Sequence, residues 1–132
     1  ITIHWVRLRV SSAMKRVAIA HPDWIMDFMD GLQSEIAEID QASTQWTLAL
    51  LFDLTRPLLS ADQSARAIEI MQHNLAHHAD WLVLNNSMQV LFDWRDDVDG
   101  LDAWLKPHLE RLTQEPRKSV AGRARKLLAK LD

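Results

Sequence analysis

The sequence predicts an all-α fold, and three observations carry that prediction. Turn-formers are scarce: the 132 residues include three glycines and four prolines. No alternating apolar/polar run bounded by turn residues is available to form a strand. Apolar residues instead recur at spacings of three and four, the signature of one buried helix face. Finally, Leu-Phe-Asp followed by a large apolar residue occurs at Leu51–Leu54 and again at Leu91–Trp94, forty residues apart. That echo points to a repeated helical unit.

Seven helices are expected, in order. The first contains "WVRLRVSSAM", with Val6, Val10 and Met14 four apart. The second is "HPDWIMDFMDGLQSEI", where Pro22 suits a first turn and Trp24, Ile25, Phe28, Met29, Leu32 and Ile36 form a stripe. The third carries Ser43, Thr47 and Leu51 and is halted by Pro57. The fourth opens on Ser60 and Gln63, a capping box, and continues with Ala65, Ile68, Met71 and Leu75. The fifth, "DWLVLNNSMQVL", presents Val83, Ser87 and Leu91. The sixth has Asp99 as its expected N-cap, Asp102 at the positive end of its dipole, and Leu101, Trp104, Leu105, Leu109 and Leu112 on one stripe. Glu115-Pro116 separates it from the seventh, which carries Val120, Ala124 and Leu128. Five tryptophans (Trp5, Trp24, Trp46, Trp81, Trp104) lie near helix starts and are expected to pack between helices. Met14, Met26, Met29, Met71 and Met88 read mostly as core filler.

The third and fifth helices align at a shift of forty, placing Gln45 on Asn85, Thr47 on Ser87 and Leu51 on Leu91. The first and third align at thirty-seven (Val10 on Thr47, Met14 on Leu51), and so do the fifth and seventh (Ser87 on Ala124, Leu91 on Leu128). A period near forty with two helices per unit characterises helical repeat arrays. "DWLVLNNSMQVL" and "WVRLRVSSAM" resemble the second helix of a HEAT repeat, which has an Asp before the helix, then Val-Arg, then small and large apolar residues at helical spacing. Asp80 and Val83 match that pattern, as do Val6 and Arg7. Leu84 stands where Arg is expected, and Ser43-Thr44 replace Val-Arg. The resemblance implies an α-solenoid of about three and a half HEAT-like hairpins. It forms one domain over 1–132, with units near 1–38, 39–78 and 79–115 and a terminal helix 116–132. The chain begins at Ile1 without methionine, so further residues upstream, and a longer array, are expected.

Charge is segregated along the chain. Residues 1–20 hold four basic side chains and no acidic one, residues 21–116 hold five against seventeen, and residues 117–131 hold six basic and no acidic ones. In a HEAT-like stack the second helices line one face. The expected partner-binding residues are therefore Arg7, Arg9, Asn85, Asn86, Gln89, Arg123 and Lys126, with hydrogen bonding in the middle and charge steering at the ends. The expected partner is a protein or peptide, including an acidic one. Charged terminal units also follow simply from the need for solvated outer faces. Some HEAT-like proteins are DNA glycosylases, so a nucleic-acid enzyme is the alternative function. The acidic middle and a pI near 6.1 oppose it.

Chemical motifs are few. With no cysteine, thiolate metal sites and cysteine nucleophiles are excluded. His73 and His77 share a helix face with Glu69, a spacing suited to zinc or nickel, but a helical projection turns all three toward solvent. Asn74 stands where a metalloprotease helix needs glutamate. "DWRDDVDGLD" fails as a calcium loop, because its first and twelfth positions would be Arg95 and Lys106. Asp23, Asp27 and Asp30 form an acidic stripe, but a polar helix face offers them neither the burial nor the neighbour that acid–base work needs. No cofactor is implied, no apolar run reaches membrane-spanning length, and a cytoplasmic location is the default. The expected function is a non-catalytic interaction or scaffold module.

Overall fold

The computed structural model describes the backbone over residues 2–131 and side chains over residues 9, 10 and 12–131. All regular structure among them is helical. There are eight α-helices: α1 (Thr2–Ala20), α2 (Pro22–Met26), α3 (Met29–Leu32), α4 (Ala42–Thr55), α5 (Ala61–His77), α6 (Trp81–Trp94), α7 (Leu101–Leu112) and α8 (Lys118–Leu131). The chain divides into two compact units, Ile1–Ile70 and Met71–Asp132, and α5 contributes residues to each.

In the first unit α1 packs along α4, and α2 packs against both. Ala18, Ile25, Met29, Leu32, Leu48, Leu51 and Phe52 are buried there. Eight helices stand in place of seven because the expected second helix is broken. It becomes α2, α3 and a 3₁₀ turn at Ile36–Glu38. Its composition explains the break: Asp27, Asp30, Gly31 and Ser34 all favour caps and turns over helix interiors. Ser34 Oγ donates to the Asp30 carbonyl at 2.7 Å, a local bond that competes with helix continuation. Just beyond α3, Gln33 Nε2 donates to the Gln63 carbonyl at 2.8 Å and the Gln33 carbonyl accepts from Arg66 Nε at 3.0 Å. These two bonds tie the segment to the start of α5. Trp24 and Phe28, expected on a buried stripe, are 53% and 64% exposed.

In the second unit α6 packs against α7 and α8, and α7 against α8. Leu101, Leu105, Leu109 and Leu112 are all buried, as the sequence pattern predicts. Each contributes about 2 kcal/mol by leaving water, and together they hold α7 as one helix despite the interior Pro107. The N-cap of α7 is Gly100 at φ 80, with no side-chain cap bond, so the expected Asp99 cap is corrected. A left-handed backbone at that position favours glycine.

The two Leu-Phe-Asp copies lie near the ends of α4 and α6. Helices α4 and α6 have 14 residues each and run directly into 3₁₀ turns, Arg56–Leu58 and Arg95–Asp97. The next helices open at Ala61 and Leu101. Phe52 and Phe92 are buried, while Asp53 and Asp93 face solvent at the helix ends. The capping box at α5 is reciprocal: Gln63 N donates to Ser60 Oγ at 3.1 Å and Ser60 N donates to Gln63 Oε1 at 3.0 Å. Asp80 caps α6, accepting from Leu82 N at 2.9 Å and Val83 N at 3.2 Å. On α5 the buried stripe runs through Ala67, Ile70, Met71, Asn74 and Leu75. Ala65 is exposed and Ile68 half-buried, so the expected stripe is rotated toward Ala67 and Ile70. No described helix is long and apolar enough to cross a membrane.

Candidate partner-binding groove

The break in residues 22–40 leaves an apolar groove of about 550 Å³ within the first unit. One wall is α1, through Val10 and Met14. The floor is α4, through Thr44, Thr47, Leu48 and Leu51. The opposite wall is the broken segment, through Phe28, Leu32, Ile36 and Ile39, with the carboxylates Asp27 and Glu35 and the small Gly31. Val10/Thr47 and Met14/Leu51 are pairs that the sequence alignment places together. The face that the sequence assigns to packing is thus left partly uncovered here. Phe28 sits between α2 and α3, where the chain leaves the helical path, and this lifts its ring to the lip. Val10, 51% exposed, reaches the same lip from α1.

Local bonds fix the floor. Thr47 Oγ1 donates to the Ser43 carbonyl at 2.6 Å and Thr55 Oγ1 to that of Leu51 at 2.7 Å, so these hydroxyls are spent inside α4. Gln45 Nε2 donates to the Ala37 and Ile39 carbonyls at 3.0 and 2.8 Å, anchoring the loop beneath the acidic wall. Gln45 itself is buried, with its amide directed at these two carbonyls.

The residues expected to bind a partner fall elsewhere. The Arg7 side chain lies outside the described residues, and Arg9 is exposed on α1. Asn85 is only 6% exposed and so does not line a surface; its Oδ1 has no partner among the described residues. Asn86 and Gln89 are half-buried. Gln89 Nε2 donates to Asp93 Oδ1 at 2.9 Å, and its Oε1 accepts from Arg123 Nη1 at 2.7 Å. Of the set, the structure brings together Gln89 and Arg123, on α6 and α8. Lys126 is exposed.

His73, His77 and Glu69 face solvent as projected. The two imidazoles lie 4.9 Å apart between ring centres, but Glu69 Oε1 is held by Arg66 Nη1 at 2.6 Å. Among the described residues, no three His, Asp or Glu side chains converge as a metal site would require. His108 lies beside this pair in the second unit. Its ring is 4.2 Å from that of Trp104, and Arg111 Nη2 is 3.3 Å from its Nδ1. Partial burial, then Arg111, then His77 lower its pKa below the ordinary 6.5. Glu115 is lowered chiefly by Arg117, whose Nε donates to it at 2.7 Å. The tryptophans are corrected in part. Trp81 is 46% exposed and Trp24 stacks on His21 at 3.9 Å instead of packing inside, whereas Trp94 is fully buried.

The groove residues Val10, Asp27, Phe28 and Glu35 were not singled out as binding residues by sequence reasoning. A usable signal exists: an expected helix interrupted by Asp27, Asp30 and Gly31 cannot keep Phe28 and Trp24 on its buried stripe. Comparison with protein-family models, curated proteins and solved structures finds no match.

Proposed function

We propose that the chain is a non-catalytic protein-interaction module, built as an α-solenoid of HEAT-like hairpins, that seats a segment of a partner protein in the groove of the first unit. The observation that carries this reading is the exposure of Phe28 and Val10 over an aliphatic floor. Large apolar side chains that converge on a concave surface mark recognition sites more than isolated exposed ones do. The lining supports binding over chemistry. Among the described residues it consists of aliphatic side chains, Met14, Gly31, the Phe28 ring, two threonines and two exposed carboxylates. The solenoid part rests on the recurring order of helix, 3₁₀ turn and helix at α4–α5 and α6–α7.

A photo-crosslinking residue placed at Phe28 in the full chain, expressed in cells, tests the reading. It should give a discrete protein adduct that the same residue at exposed Lys106 does not. An adduct pattern identical at the two positions would overturn it.

A further inference from the structure

We infer that the groove takes a cationic amphipathic helix: a partner segment with an apolar stripe flanked by lysine or arginine. This rests on the interaction reading above and adds the chemistry of the partner.

Charge on the wall formed by residues 22–40 has one sign. The wall formed by residues 22–40 contains six carboxylates, Asp23, Asp27, Asp30, Glu35, Glu38 and Asp40, and no lysine or arginine. Two of them, Asp27 and Glu35, line the groove itself, and no described lining residue is basic. Glu38 spends part of its charge on Arg66 at 3.8 Å, whereas Asp27 and Glu35 are exposed at the rim. On α1 the groove side is Val10 and Met14. Lys15 follows Met14 by one residue, a turn of about 100° around the helix, and so points off the groove, while the Arg7 side chain, in the Val10 and Met14 register by sequence, lies outside the described residues. An anionic segment would meet like charge along the acidic wall; a cationic one would be drawn to it and oriented by it.

Shape and backbone chemistry select a helix. Every element around the groove is helical or a 3₁₀ turn, and none is a strand edge, so an extended peptide has no ladder of backbone groups to pair with. Affinity must come from side-chain anchors spaced at i, i+3/i+4 and i+7, which is helix-in-groove recognition. Phe28 and Val10 supply the lips between which such anchors descend toward Leu48 and Leu51. Gly31 sits on the acidic wall without a side chain, and a Cβ built there meets nothing within 4 Å. It leaves the space in which a partner helix can approach closely.

The test uses the purified full chain and two labelled synthetic peptides with the same leucine stripe, flanked by lysines in one and glutamates in the other. Fluorescence anisotropy should show the lysine peptide binding at least about tenfold more tightly, with the gap closing at high salt. Gly31→Leu fills the groove without backbone strain and should weaken lysine-peptide binding by about tenfold or more. The double variant Asp27→Asn, Glu35→Gln keeps the apolar floor and should erase most of the charge preference. Unchanged helical circular dichroism and melting temperature show that each variant is folded. Equal binding of both peptides, a preference for glutamate, or no binding of either overturns the cationic-helix inference. If Gly31→Leu still abolishes binding of a peptide of the wrong charge, the groove reading survives that failure. If Gly31→Leu changes nothing, both fall.

Discussion

Two segments of this chain occupy the same place in their units and end up differently. Residues 22–40 connect α1 to α4, which pack together; residues 95–117 connect α6 to α8, which also pack together. The second connector forms one 12-residue helix with leucines at 101, 105, 109 and 112, and it closes its unit. The first has apolar residues at similar spacing, but aspartates at 27 and 30 and glycine at 31 interrupt them. It breaks and leaves Phe28 outside. The apolar pattern is nearly equivalent in the two; the strength of helix formation between the apolar positions is not. What differs is whether the segment can keep all its large side chains on one face long enough to bury them.

The sharpest way to break this comparison is to truncate one anchor in each connector. Leu105→Ala removes a fully buried side chain and should cost about 2–5 kcal/mol in chemical denaturation, through lost transfer energy and a cavity. Phe28→Ala removes a larger side chain that is mostly in water, and should change stability by no more than about 0.5 kcal/mol. Similar losses at both sites would mean that the two connectors are equally filled.

A smaller effect separates the aligned helices themselves. Gln45 on α4 satisfies two loop carbonyls, while its counterpart Asn85 on α6 has a buried Oδ1 without a described partner. The same substitution should therefore act in opposite directions. Gln45→Leu takes the side-chain donor from the Ala37 carbonyl and one of two donors from the Ile39 carbonyl, which keeps Gln41 N at 2.9 Å, and should destabilise by about 1–2 kcal/mol. Asn85→Leu removes an unsatisfied buried group and should be neutral or stabilising by about 1 kcal/mol. Urea midpoints of the two variants decide it, and a loss at Asn85 equal to that at Gln45 would show that the amide has a partner, such as an ordered water.

How much of this was legible in the sequence follows the same division. Helix type, the capping box at Ser60/Gln63 and the α7 leucine stripe depend on local chemistry that the residues carry, whereas the expected Asp99 cap gives way to Gly100, whose left-handed backbone takes the N-cap position. The Leu-Phe-Asp echo likewise marks aligned helices of equal length. The break at Asp27–Phe28 is hidden by an apolar periodicity that continues across Asp27, Asp30 and Gly31, three poor helix formers. The burial of Gln45 and Asn85 was missed because a polar residue on a helix reads as solvent-facing unless the loop carbonyls it must reach are known. Of the polar residues in that register, Gln45 and Asn85 are interior, while the surface left open by residues 22–40 is largely apolar.

Capping offers a finer contrast between the same two helices. Asp80 accepts from two backbone amides at the start of α6, whereas Gln41, at the N-cap of α4, donates to Ser43 Oγ at 2.6 Å and caps no backbone amide. Asp80→Ala should cost about 1 kcal/mol. Gln41→Ala should fall within about 0.5 kcal/mol of zero, and Gln41→Asp should stabilise by about 0.5–1 kcal/mol by giving α4 the cap that α6 has. Thermal melts of the three variants test this, and a loss at Gln41→Ala matching that at Asp80→Ala would remove the contrast.

The smallest effect concerns pH and belongs to the second unit. The folded state lowers the pKa of His108 below 6.5, by burial first and then by Arg111 and His77. In the window just below that value the unfolded chain binds the proton and the folded chain does not, so stability falls as pH drops through 6.5. The loss levels off once the folded ring is also protonated. His108 is only half-buried, beside Trp104 and Arg111, and solvent screening keeps the effect small. His108→Gln should flatten this part of the profile while leaving carboxylate titration at lower pH intact. Between about pH 8 and pH 5 the melting temperature of wild type should therefore fall relative to that of the variant as pH falls. Curves that stay parallel would place the pH sensitivity on another group.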